Sequence, residues 1–553
     1  AILFRKNALE QKAKVKLKSC SVRQWMIMKK RNLIYVAALG ASIMFSSCND
    51  FLDTMPDSRT EVNNEKKITD ILVSAYSQTY PIMFYELSSD NTMDSGAKYN
   101  PYWKSITQYY LWQDVSEVDD DDPNGIWQGC YSAISSANMA LQAIEEMGDP
   151  VSLNPQKGEA LLCRAYWHFV LANTFCMPYN AQTADTDMGI PYILVPETKP
   201  MELPSRGTIA EVYAQIAKDL EKGLPLIDED IYSVPKYHFN RKAAYAFATR
   251  FYLYYTHSDK SNYTKAIEYA NVVLGTDDPT DVLRDWASLN SLPSDLEYIG
   301  DTYISISDRA NLMLSPILSV WGYAHGPYAG RNNRYGNANT LFAAEGPQAA
   351  GPWGSYTNLR TINKLFGLTQ KAFVPKMNAY FEYSDKAAGI GSLHLVVPMF
   401  TTDETLLCRA EAYILSGNLD AAVQDINYWL KTHSINYKAM SRTELVNFYS
   451  NIAYMPTVPE STGQRTIKKK LNPVGITVAD GDQENLIQCV LHLRRVETVH
   501  EGLRWLDIRR YGIEFSHNRD GETPIVLAKD DLRRAWQLPQ DVTSAGVPAN
   551  PRN

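Results

Sequence analysis

Glu159-Ala160-Leu161-Leu162-Cys163-Arg164-Ala165 and Glu404-Thr405-Leu406-Leu407-Cys408-Arg409-Ala410 agree at six of seven positions, although they lie in opposite halves of the chain. Each opens a stretch with apolar residues at helical spacing, Glu159–Phe175 and Glu404–Leu415. The same spacing recurs over Ile126–Met147, Thr208–Leu226, Asn240–Tyr255, Tyr263–Leu274 and Leu419–Lys431. Thr208 and Glu211 supply the Thr-x-x-Glu of a capping box. Ser258-Asp259-Lys260-Ser261 and Ser416-Gly417-Asn418 are short polar joints between paired helices. The second helices of these pairs also agree, Tyr263-Thr264-Lys265-Ala266-Ile267 beside Asn418-Leu419-Asp420-Ala421-Ala422-Val423. Small Ala at a crossing, with Tyr or Leu beside it, is how tetratricopeptide units stack. Such pairs bury their faces only against neighbours, so about four of them are expected in one all-α, tetratricopeptide-like scaffold.

Between the pairs lie long irregular stretches at 88–125, 276–360 and 433–485. Loops this long in a compact chain are functional or disordered, and their Tyr and Trp content argues against disorder. The 553 residues, 45% hydrophobic and 21% charged, exclude a disordered or collagen-like chain. The chain holds 35 Tyr and 11 Trp against 16 Phe, a surplus that points to aromatic groups working near water.

The first 47 residues differ in kind. Residues 1–31 carry ten basic groups and one acid, Leu33–Phe45 runs thirteen residues without charge, and Ser46-Ser47-Cys48 follows. A basic segment, a short apolar run and small residues form a secretory signal, and thirteen residues are too few to span a bilayer. Phe45-Ser46-Ser47-Cys48 reads as a lipobox cut before Cys48, whose thiol would be lipidated; an ordinary signal with a chance Cys is the alternative. Met26 and Met28 precede Lys29-Lys30-Arg31, so residues 1–25 read as an over-extended start. Removing residues 1–47 leaves 44 of 54 basic and 61 of 62 acidic side chains, a net charge of −17. Such a chain repels nucleic acid. Cys130, Cys163, Cys176, Cys408 and Cys489 are odd in number and lack a C-x-x-C, so they read as buried hydrophobes.

Catalytic signatures are scarce. The sequence has no phosphate loop, no G-x-S-x-G elbow, no dinucleotide fingerprint and no cluster among its nine His. His500-Glu501 begins like a zinc-protease helix, but Arg504 stands where the second His belongs. Glu497, Glu501, Arg504 and Asp507 form a charged helical stripe that reads as structural ion pairs. No cofactor is expected. Asp119-Asp120-Asp121-Asp122 offers hard oxygens for a structural Ca²⁺, but lacks EF-hand spacing, and a solvated acidic loop is favoured.

Beyond residue 47 the chain resembles the SusD/RagB family, surface lipoproteins with which Bacteroidetes capture nutrients, mostly glycans. The resemblance rests on Cys48-Asn49-Asp50-Phe51-Leu52-Asp53, on Trp127…Tyr131…Ile134…Asn138, on Glu159…Arg164-Ala165, and on Ala535-Trp536-Gln537-Leu538-Pro539-Gln540…Asn550-Pro551-Arg552. Its strongest part is Arg494–Arg510, similar to the family's R-R-x-E-L-x-x-E-G-x-R-W-x-D-L-x-R helix, with Thr498 and His500 where apolar residues are usual. The resemblance implies one domain over 48–553, glycan binding without hydrolysis, and a lipid anchor at the outer-membrane surface. It also implies delivery to a SusC-like TonB-dependent transporter. A helical-repeat interaction scaffold with no glycan site is the rival, and spacing alone excludes no opposed carboxylate pair.

A sugar ring has an apolar face and a hydroxyl rim, so it calls for an aromatic plate with Asn, Asp or Arg beside it. Two stretches hold both, and family members place glycan aromatics at comparable positions. Tyr99-Asn100-Pro101-Tyr102-Trp103 is one; the other, Trp321–Tyr335, interleaves aromatics with Gly. Trp321, Tyr323, Tyr328, Trp103, Tyr102, Asn100, Arg331 and Asn332 are the expected ligand contacts, with Trp353 behind them and Tyr109, Tyr110 and Trp112 read as core.

Overall fold

The computed structural model describes residues 62, 64–196, 205–326, 330–362, 364–366 and 369–552. The signal segment, Cys48 and Tyr328 lie outside them, as does the side chain of Arg331. The main helices are α1 (Glu65–Leu72), α2 (Ile82–Ser88), α3 (Pro123–Glu146), α4 (Asn154–Phe175), α5 (Ile209–Gly223) and α6 (Arg241–Tyr254). They continue with α7 (Ser261–Leu274), α8 (Thr402–Ser416), α9 (Leu419–His433), α10 (Arg442–Ser450), α11 (Asp482–Glu497) and α12 (Leu503–Arg510). Six of these match the sequence reading to within a turn, α4 starts five residues before the Glu159 read as its beginning, and the capping box forms: Thr208 Oγ1 accepts the Glu211 N–H while the Glu211 carboxylate accepts the Thr208 N–H.

The repeated heptapeptides occupy two deeply enclosed helices. Every residue from Gly158 to Phe175 of α4 and from Thr402 to Ala412 of α8 is buried. A helix covered on all sides must satisfy its charged residues inside the protein, and the repeat shows how. Arg164 forks onto Asp219 of α5 at 2.7 and 2.7 Å and gives Nη1 to Asn138 Oδ1 of α3 at 2.9 Å. Arg409 forks onto Asp425 of α9 at 2.9 and 2.7 Å and gives Nη1 to Asn271 Oδ1 of α7 at 2.9 Å. One buried node therefore recurs, an Arg on the central helix bridging the helices on either side.

The all-α expectation holds for the scaffold, but a sheet is added by one strand from the irregular stretch 276–360 and two from 380–401. Strands β2 (Asn311–Leu318), β7 (Ile390–Thr401) and β6 (Tyr380–Asp385) form an antiparallel sheet with β7 central, pairing Ser315 with Val397 and Tyr380 with His394. Pro316 and Pro398 interrupt these runs in the sequence and mask them as strands. Small ladders join β1 (Met93–Asp94) to β3 (Tyr335–Gly336), β4 (Lys364–Phe366) to β5 (Lys371–Phe373), and β8 (Phe515–His517) to β9 (Ile525–Leu527).

The tyrosine surplus goes largely inward, against the sequence reading. Tyr303 donates to Glu501, Tyr511 to Glu411 and Tyr76 to Glu159, at 2.7–2.8 Å. A buried phenol fills space and satisfies a carboxylate at once. The five cysteines are free and buried, as expected.

The charged C-terminal motif is two helices, not one. After Glu497 the chain turns through His500 (φ +73°) and Gly502 (φ +78°) before α12. A Cβ on Gly502 would come within 3.1 Å of Tyr85 Cβ, so glycine serves both the left-handed backbone and the contact with α2. The stripe is structural, but its partners are distant: Glu497 meets His433, Glu501 meets Lys376, Arg504 meets Asp90 and Asp507 meets Arg494. Polar Thr498 and His500 fit because Thr498 Oγ1 donates to Arg494 O and His500 Nε2 accepts the Val374 N–H.

Candidate functional site

The two aromatic stretches converge. β1 pairs with β3, the Asn100 N–H donates to Asn332 O at 3.3 Å, and the Arg334 N–H donates to Asn100 O at 3.0 Å. Arg334 locks the junction with a fork onto Asp94 at 2.9 and 2.7 Å. Convergence does not yield a flat platform among the described residues. Trp321 is fully buried, its indole N–H donating to His500 O at 3.0 Å and its ring stacked on His325 at 4.6 Å. A ring with no face open to solvent cannot stack on a sugar, so Trp321 is a core residue. Trp353 is buried too, against Trp429 and His492.

Tyr323 is half-buried. Tyr102 is exposed in a left-handed conformation (φ +60°), and half-buried Trp103 lies 5.9 Å away with its ring tilted by 43°. Asn100 and Asn332 are exposed, but Asn100 Oδ1 accepts the Tyr102 N–H at 2.9 Å and shapes the turn. Tyr109, Tyr110 and Trp112 are core, as read.

Beside the converged stretches a concavity of about 730 Å³ is lined by Asp94, Lys98, Tyr99 and Arg519 among others; a two-lobed one lies elsewhere, where three segments without a shared sequence signal meet. Its first lobe, about 740 Å³, is lined by Val73–Ser74, Tyr76–Thr79, Val118–Asp120, Leu318 and the first turns of α3, including Asn124, Gln128 and Ser132. A second lobe of about 490 Å³ shares Val73, Tyr76, Ser77, Gln78 and Leu318 with the first. It adds Tyr237, His238, the end of β2, Glu382 of β6 and His394 of β7. The lobes form one groove with the Tyr76–Gln78 segment between them.

Local contacts hold that shape. A Cβ on Gly129 would meet Thr79 Oγ1 at 2.2 Å, so only glycine lets the Ser77–Thr79 segment lie against α3. Thr79 Oγ1 donates to Gly125 O at 3.0 Å, and the Leu318 N–H donates to Gln78 O at 2.7 Å. Tyr76 is fixed: its hydroxyl donates to Glu159 at 2.7 Å and accepts the Phe239 N–H at 2.8 Å. The acidic run is divided, which corrects the reading of it as a solvated loop. Asp119 and Asp120 face the groove, whereas Asp121 and Asp122 are buried. Asp121 accepts the Ser319 hydroxyl at 2.6 Å and the Val320 N–H at 2.8 Å, tying this wall to the end of β2. Burial pushes its carboxyl up to about 7, and that of Asp122, bonded by the Tyr109 hydroxyl, to about 6.

The described residues include one buried group with metal-ligating atoms close together, Asp403, His433 and Glu497. It lies apart from the acidic run. His433 Nδ1 faces Trp429 O at 2.8 Å and Nε2 faces Glu497 Oε2 at 2.8 Å. Nδ1 also lies 2.9 Å from the Thr432 hydroxyl, so both ring nitrogens are engaged within the protein and the group is packed as a buried hydrogen-bonded cluster.

Comparison with known proteins adds the family. Residues 50–253 match the SusD-like family model described as starch-binding associating with outer membrane. No curated protein matches the chain. Among solved structures, a SusD superfamily protein from Bacteroides thetaiotaomicron is 18% identical with a TM-score of 0.56, covering 88% of this chain and 98% of its own. A putative sugar binding protein from Bacteroides vulgatus is 16% identical with a TM-score of 0.58, covering 89% and 99%. A laminarin binding SusD-like protein is 15% identical with a TM-score of 0.50, covering 88% and 99%. The matched segment and a helical fold shared along nearly nine-tenths of the chain agree with the motifs at Trp127, Arg164 and Arg494–Arg510: residues 50–253 match the SusD-like family, and the chain has the fold of the SusD superfamily structures.

Proposed function

We propose that this protein binds oligosaccharide at the bacterial surface without hydrolysing it and passes it to a SusC-like TonB-dependent transporter. The observation that carries the reading is the two-lobed groove. Its volume falls in the range of ligand sites, and its lining suits a sugar chain. Gln78, Asn124, Gln128 and Ser132 offer amides and a hydroxyl that both donate and accept, as sugar hydroxyls do. Val73, Val118 and Tyr237 are exposed in it and offer apolar surface to C–H faces. The family description and the names of the sugar-binding and laminarin-binding neighbours point the same way.

Among the described residues no helix is long and apolar enough to cross a membrane, and attachment through a lipid on Cys48 is the route we propose to the outer membrane. The converged loops at Asn100, Tyr102, Trp103 and Asn332 are a second candidate surface.

Calorimetric titration of the full chain with laminarin and soluble starch tests the groove. Ser132→Trp, at an exposed position on α3, should fill the first lobe and abolish binding without lowering the melting temperature. Binding that survives Ser132→Trp but is lost in Tyr102→Ala would move the site to the converged loops. Survival in both would remove the proposed site.

A further inference from the structure

The charge of the groove bears on which glycans it accepts. Among the described residues lining its two lobes there is no Lys and no Arg, while Asp119, Asp120 and Glu382 are all present. Of the two histidines in the lining, His238 is already paired with the Glu159 carboxylate through Nδ1 at 2.8 Å and stacks on Tyr232 at 4.3 Å. We infer that the groove selects neutral glycans and rejects those carrying uronate or sulfate groups. The inference rests on the glycan-binding reading and adds a ligand class to it.

Two physical arguments support it. The first is hydrogen-bond polarity. An ionised carboxylate only accepts, so Asp119, Asp120 and Glu382 need donors from the ligand. Neutral sugars present hydroxyl donors on every ring, often in adjacent pairs that one carboxylate can hold. Uronate and sulfate oxygens are acceptors only, and each placed near these residues sets acceptor against acceptor. The second is the field. Beyond residue 47 the chain carries 61 acidic against 44 basic side chains, so an anionic polymer is repelled before it docks.

Matched probes isolate the effect, because each pair shares a backbone and differs in charge: laminarin with its sulfate ester, and soluble starch with carboxymethyl starch. Titration of the full chain should give neutral binding that is nearly independent of salt, and at least tenfold weaker binding of the charged partner at low ionic strength. The variant Asp119→Asn/Asp120→Asn/Glu382→Gln keeps the shape of the groove and removes its charge, and should narrow that difference. Equal affinity of the parent for both members of a pair overturns the inference while leaving the glycan reading intact. A charged-to-neutral ratio unchanged in the triple variant also overturns it, since discrimination would then arise elsewhere. Binding to none of the four probes counts against the glycan reading itself.

Discussion

Arg504 and Asp90 face each other as a two-pronged ion pair, Nε to Oδ1 at 2.8 Å and Nη2 to Oδ2 at 2.9 Å, across 414 residues of chain. Both are almost fully buried. Asp90 also lies 2.9 Å from Lys469 and 3.6 Å from Arg495. Burial alone would raise its pKa, but Arg495, Arg504 and Lys469 together hold it well below the usual carboxylate range.

Loss of one partner strands the other. Arg504→Ala should destabilise the protein by about 3–5 kcal/mol, the cost of an uncompensated buried charge. Asp90→Ala should cost more, because it leaves Arg504, Arg495 and Lys469 with Glu345 as their one remaining carboxylate in this cluster. Thermal melts of the two variants check both the size and the order; an Arg504→Ala protein that melts with the parent would contradict the pairing.

Trp321 should behave as core. Truncation to Ala removes a fully buried indole and its hydrogen bond to His500, at a cost of about 3–5 kcal/mol. Differential scanning calorimetry should show a large drop in melting temperature. A variant with parental stability and weakened glycan binding would instead restore Trp321 as a platform.

The contribution of two buried carboxyls to stability should fall as pH rises from about 4 to about 7. Burial raises the carboxyls of Asp121 and Glu86 each to about 7, above their ordinary values of 3.8 and 4.5. The folded protein therefore holds protons that the unfolded chain releases. The contribution of these groups is complete below about pH 4 and is lost as pH rises through about 7. Asp121→Asn can still accept from Val320 and bond Ser319, so its stability relative to the parent should rise steadily from about pH 4 to about pH 7 and level off above. Parallel Tm–pH curves for the two proteins would show that Asp121 does not titrate in this range.

Anchoring should depend on Cys48. Cys48→Ala should abolish incorporation of a fatty-acid analogue during growth, while the purified protein keeps the parental melting temperature. Equal labelling of parent and variant would remove the lipid anchor.

Much of the scaffold was legible in the sequence because a helix is specified by neighbours three and four residues apart. The periods over Ile126–Met147 and Leu419–Lys431, the Thr208–Glu211 box and the repeated heptapeptide all sit inside such windows, and all reappear in the structure. Charge bookkeeping and the lipobox are likewise properties of composition and order alone.

The candidate site was not legible, for a physical reason that Trp321 and Tyr102 make plain. An indole in a Gly-rich stretch is equally compatible with a sugar platform and with a core, and what decides is the matter on its other face. For Trp321 that is His500, a turn residue 179 positions away, whereas Tyr102 is left 39% exposed. The groove has the same origin. Tyr76–Thr79, Val118–Asp120 and the end of β2 carry no common pattern, and they come together because Gly129 admits Thr79 against α3 and Asp121 ties its loop to Ser319 and Val320. Local spacing determined the helices and their caps; the long-range contacts that tertiary packing alone creates decided which surfaces stayed open to a ligand.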